Sequence, residues 1–131
     1  MPQPTRVDAA AQPDELLDPP GRGSIRFRTL ISAPATNTSD IVFGVAMLAP
    51  GETFALHSHP QPEVYFGLDG TEEVLIDGVP HRLGPGIALY IPGGAVHGVP
   101  VAKGHLKWAF TFAADSLADI QYSYPHETSD D

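Results

Sequence analysis

From Ser24 onward the apolar positions fall in short runs with a period of two. Ile25, Phe27, Thr29 and Ile31 alternate with Arg26, Arg28 and Leu30, as expected of a strand with one face in a core and the other toward water. Comparable runs follow at residues 40–49, 53–59, 63–68, 72–77, 81–83, 87–92, 95–100 and 105–113. Together they predict about nine short strands, and no stretch shows the 3.6-residue period of a long helix.

The breaks between runs carry turn chemistry. Pro50-Gly51, Asp69-Gly70, Asp77-Gly78 and Gly84-Pro85-Gly86 each supply residues that fix a bend or tolerate positive φ. Asp77-Gly78 is the strongest signal for a two-residue hairpin. Many strands joined by tight turns predict an all-β sandwich or barrel, and the jelly roll is the version that encloses a small pocket. Residues 1–23, rich in Pro, Ala, Gln and Asp, break the pattern. They read as a flexible N-terminal arm in which Glu15-Leu16-Leu17 forms a short helical turn that docks on the body. The barrel is expected over 24–124, and residues 125–131 form an acidic C-terminal tail.

Composition narrows the class. A chain of 131 residues that is 42% apolar fills one modest core and forms one domain. Sixteen acidic against seven basic residues give a formal charge of −9, which disfavours nucleic acid and anionic membranes as partners. Part of that charge lies at Asp14, Glu15, Asp18, Glu127, Asp130 and Asp131, where it aids solubility. With no cysteine there is no disulfide, thiolate nucleophile or sulfur ligand. The first twenty residues lack the basic and apolar regions of a secretory signal, so a cytoplasmic location is expected.

One constellation carries chemistry. Gly51 is followed by His57-Ser-His59-Pro-Gln-Pro-Glu63, and Gly86 by Pro92-Gly-Gly94-Ala-Val-His97. Side chains at i and i+2 of a strand share a face, so His57 and His59 point together. Pro60 and Pro62 bend the chain and let it return as a strand starting near Glu63. The turn at Pro92-Gly93-Gly94 brings His97 to the same place. Three imidazoles and a carboxylate suit a divalent transition metal: Fe, Ni, Cu or Zn by the imidazoles, with Mn admitted by the carboxylate. His81, His105 and His126 lie outside the pattern and read as surface or hydrogen-bonded histidines.

The two motifs resemble the paired signature of the cupin superfamily, small jelly-roll β-barrels that hold a metal inside. The match runs from Gly51 to His97; where cupins often carry Asn after three further residues, this chain has Val101. The resemblance implies His57, His59, Glu63 and His97 as metal ligands. It does not fix the reaction, because cupins include lyases, dioxygenases, isomerases and binding proteins.

Tyr65, two residues after Glu63, is predicted on the same interior face roughly 7 Å along the strand. Over residues 24–124 the chain is also similar to the single-domain cupin lyases that cleave dimethylsulfoniopropionate to dimethyl sulfide and acrylate. Tyr65 and Tyr122 match the tyrosines of those enzymes, which implies catalytic roles for both on a small carboxylate substrate. Phe66, Tyr90, Trp108, Phe110 and Phe112 are available to face the sulfonium. A cupin dioxygenase and a non-catalytic ligand-binding or sensing cupin are the alternatives. A homodimer is expected on general grounds, because an open sandwich has edge strands to cover.

Overall fold

The computed structural model describes residues 1–127; the notional tail residues Asp130 and Asp131 lie outside them. Ten antiparallel strands form two sheets. The six-stranded sheet runs β1 (Glu15–Leu16), β2 (Arg26–Ile31), β3 (Val42–Leu48), β10 (Leu106–Phe112), β5 (Glu63–Gly70) and β8 (Ala88–Ile91). The four-stranded sheet runs β4 (Phe54–His57), β9 (His97–Val99), β6 (Glu72–Ile76) and β7 (Val79–Leu83). Every predicted strand is present, and the connectivity is that of a jelly roll.

Strand alternation sets the core. Val42, Ala46 and Leu48 from β3, and Leu106, Trp108, Phe110 and Phe112 from β10, are buried on the inner face. Gly44 lies in the same inward series because a Cβ there would overlap the Phe110 ring and sit 2.6 Å from the Arg28 carbonyl oxygen. The hairpin between β6 and β7 turns at Asp77 and Gly78, with φ of 48° and 79°, the two positive-φ positions of a type I′ turn. Phe66 and Tyr90 face outward, 44% and 66% exposed, which removes them as candidate pocket aromatics. Trp108, Phe110 and Phe112 point inward.

Residues 15–16 correct one expectation. They form β1, pairing Glu15 with Phe27 and Leu16 with Arg26, in place of a helical turn. A two-residue strand has no period to announce it, and its state is set by the neighbouring β2 edge. Side chains reinforce the pairing: the Glu15 carboxylate accepts from the Thr29 backbone N–H at 2.8 Å, and Arg28 bridges to Asp14 at 2.8 Å. No helix among the described residues is long and apolar enough to cross a membrane.

Candidate metal centre

Two strands and a returning loop build the centre. His57 ends β4 and pairs directly with His97, which begins β9. His59 follows past Ser58, and the Pro60–Pro62 bend returns the chain so that β5 begins at Glu63. The turn after Pro92 closes with the Ala95 N–H donating to the Pro92 carbonyl at 3.1 Å and Gly94 at φ 83°. One ligand nitrogen from each of His57, His59 and His97 lies within 4.8 Å of the others. The Glu63 Oε1 stands 3.2 Å from His59 Nε2 and 3.1 Å from His97 Nε2. All four side chains are buried.

The hydrogen bonds on the far side of each ring test whether a cation fits. Nδ1 of His57, His59 and His97 faces the carbonyl of Ala55, Gln61 and Ala95 at 2.7, 2.8 and 2.9 Å. A carbonyl only accepts, so Nδ1 carries the proton of each neutral ring and Nε2 presents its lone pair. Two of those lone pairs then meet a carboxylate oxygen, acceptor against acceptor. A cation among them removes the conflict, and the backbone carbonyls orient the rings as ligand imidazoles require. The donor set fits a divalent transition metal.

Aromatic rings wall the cluster. Phe54 stacks on His57 with centroids 4.3 Å apart, while Phe112 meets His59 edge-on at 5.0 Å. Tyr65 packs 6.0 Å from His97 and 5.5 Å from Trp108. Tyr122 and Tyr124 arrive by a separate device: Ser58 and Ser123 exchange two backbone hydrogen bonds, each 2.9 Å. That small ladder carries Tyr122 to 5.7 Å from His57 and 5.5 Å from His59, and Tyr124 to 5.7 Å from His57. The structure thus brings together Tyr65, Tyr122 and the four candidate ligands. His81 and His105 are exposed and lie apart from the cluster, with His105 beside Asp69 at 3.2 Å.

Burial acts on three of these groups. Burial first, then the neighbouring His97, holds His57 well below the usual imidazole range, against the opposing pull of its bond to Ala55. Burial, then the Glu63 carboxylate, pushes the phenols of Tyr65 and Tyr122 well above their ordinary range. A cavity beside the cluster is lined by His57, Glu63, Tyr65 and Tyr122 on one side and by Phe27, Trp108 and Leu17 among its apolar walls. Among the described residues no Lys or Arg lines it. The Trp108 indole N–H is buried without a partner, one unsatisfied donor in an otherwise apolar wall.

The cupin domain family model matches residues 44–112, and the chain belongs to the cupin family. It is 40% identical over 121 residues to dimethylsulfoniopropionate lyase DddW of Ruegeria pomeroyi, an alignment covering 92% of this chain and 80% of the relative. Among solved structures, the polyketide cyclase RemF from Streptomyces resistomycificus superposes with a TM-score of 0.79 at 21% identity, over 98% of this chain and 89% of that one. The lyase DddQ from Ruegeria pomeroyi does so with a TM-score of 0.68 at 24% identity, over 95% of this chain and 62% of that one. At such identities the structural likenesses speak to the fold; the DddW relationship is the one that bears on chemistry.

Sequence reasoning did not find the cavity's flanking walls. Leu17, Phe27 and Leu117 line it from segments outside residues 44–112. The alternation of β2 marks Phe27 as a core-facing position but not as part of a cavity, and nothing in the spacing marks Leu17 or Leu117, because they reach the cavity through packing between distant parts of the chain.

Proposed function

We propose that this cupin is a carbon–sulfur lyase that eliminates dimethyl sulfide from dimethylsulfoniopropionate, with His57, His59, Glu63 and His97 holding a divalent transition metal, one of Fe, Mn, Ni, Cu or Zn. The observation that carries the reading is the 40% identity to DddW across 92% of the chain. Support comes from two phenols lining the same cavity as the histidine cluster. A metal bound there supplies Lewis acidity to a substrate carboxylate and a positive field that offsets the effect of Glu63 on the nearby phenols.

The side chains divide the remaining work. Tyr65, fixed on β5 two residues from Glu63, would act as its phenolate, the form that the charge of a bound metal favours against burial and Glu63, and take the proton from the carbon next to the carboxylate. The carbon–carbon double bond forms as the β carbon–sulfur bond breaks, and the bonding pair leaves with sulfur. Dimethyl sulfide therefore departs neutral and needs no general acid. Acrylate remains, and the phenol passes its proton to solvent. Tyr122, edge-on to His57 and His59, orients the carboxylate through its O–H. The aromatic walls at Phe27, Phe54 and Trp108 exclude water and receive the sulfonium methyls. The outer face of the six-stranded sheet, where Phe43, Phe66 and Tyr90 are exposed, pairs two copies into a homodimer.

The test is release of dimethyl sulfide and acrylate by protein reconstituted separately with each metal. Release with at least one metal is expected, together with its loss in His97→Ala. A filled site that releases nothing with any metal would reject the lyase and leave oxygen-dependent chemistry or ligand binding.

A further inference from the structure

The cavity beside the histidine cluster has a free volume of about 40 Å³, room for a few waters. The parts of the wall that can move set what the cavity admits. Ile25, Phe54, Trp108, Phe110 and Phe112 line the cavity but belong to the buried core. Two walls differ. Leu117 sits on a short 3-10 turn, Leu117–Asp119, and Leu17 follows directly on β1.

Leu17 is half-buried and packs against the core, whereas Leu16 is 67% exposed. Alternation along the segment accounts for the difference. The segment is fixed at both sides of Leu17: by the β1 pairing to β2, and by Arg22, which donates to the Asp18 carbonyl at 3.0 Å and to the Glu127 carboxylate at 2.9 and 3.1 Å. Its sheet contact is only two residues long, so it can shift at far lower cost than β3 or β10.

We infer that Leu17 closes the apolar side of the site cavity and determines which non-carboxylate end of a substrate fits. The wall it completes carries no charged group, and its one unpaired polar atom is the Trp108 indole N–H, so it favours small alkyl-bearing ends over anionic ones or ends with several hydroxyls, most of whose polar atoms would lie unpaired. The identity of that end as a dialkyl sulfonium rests on the lyase reading; the placement of Leu17 does not.

Two measurements test the inference in Leu17→Ala and the milder Leu17→Val, with Leu16→Ala as the control on the opposite face. Trp108 is the only tryptophan and lines the same cavity, so its fluorescence reports access. Opening the wall should roughly double the acrylamide quenching constant in Leu17→Ala and leave Leu16→Ala at the wild-type value. Selectivity, as the ratio of kcat/KM for diethyl- over dimethylsulfoniopropionate, should rise roughly tenfold in Leu17→Ala and less in Leu17→Val. Unchanged quenching in folded variants overturns the placement of Leu17. Raised quenching with an unchanged ratio overturns its role in selection. No sulfide from either substrate with wild-type protein rejects the lyase reading, while the quenching result still decides where Leu17 sits.

Discussion

His57 is tightly enclosed in the centre. It is 1% exposed, stacked by Phe54, and held by burial well below the usual imidazole range. The unfolded chain presents an ordinary histidine with a pKa of about 6.5. As pH falls through that value the unfolded state takes up a proton that the folded state refuses, so stability is fully present above about pH 6.5 and is lost below it. Melting temperatures of the metal-free protein should therefore fall between about pH 7 and pH 5, and His57→Gln should flatten that slope. An equal slope in the variant would remove His57 as its source. Tyr65→Phe probes the neighbouring chemistry: it removes only an oxygen, so bound metal should stay at the wild-type level while kcat falls roughly 100-fold or more. Metal content by elemental analysis, beside steady-state rates, separates a lost base from a lost ligand.

At the scale of elements, positions that need no side chain matter as much as those that carry one. Gly44→Ala forces a methyl against the Phe110 ring and the Arg28 carbonyl, and overpacking of this kind costs about 1 to 3 kcal/mol. Urea unfolding should show that loss. The Ser58–Ser123 ladder tests a different point, because it places Tyr122 without belonging to either sheet. Ser123→Pro deletes one of its donors and should lower kcat roughly tenfold or more by misplacing Tyr122, with little change in unfolding midpoint. The same contrast explains what could be read from the chain alone. His57, His59, Glu63 and His97 were legible because strand alternation and Pro or Gly turns are local rules that bring them together. The inward aspect of Tyr65 followed likewise from Glu63. Tyr122 depends on a pairing between distant residues, and Leu17 on a two-residue strand, so neither position has a local signature; for Tyr122 only the family resemblance pointed to it.

For the whole molecule, net charge and cavity charge make one argument. The chain carries a formal −9, and the only charged side chain lining the cavity among the described residues is Glu63. Such a protein repels anions at long range, and salt screens that repulsion within about 10 Å at 0.1 M. Dimethylsulfoniopropionate has no net charge, because its sulfonium balances its carboxylate. The field therefore neither attracts nor repels it, and kcat/KM should stay flat as sodium chloride rises from about 20 to 200 mM. On the proposed lyase reading the product, acrylate, is an anion and is repelled, which speeds its departure. Its inhibition should strengthen over the same range as screening weakens the repulsion. A value of kcat/KM that climbs with salt in parallel with acrylate inhibition would mean that the field acts on the carboxylate end of the zwitterion separately from its sulfonium, and net neutrality would not govern its entry.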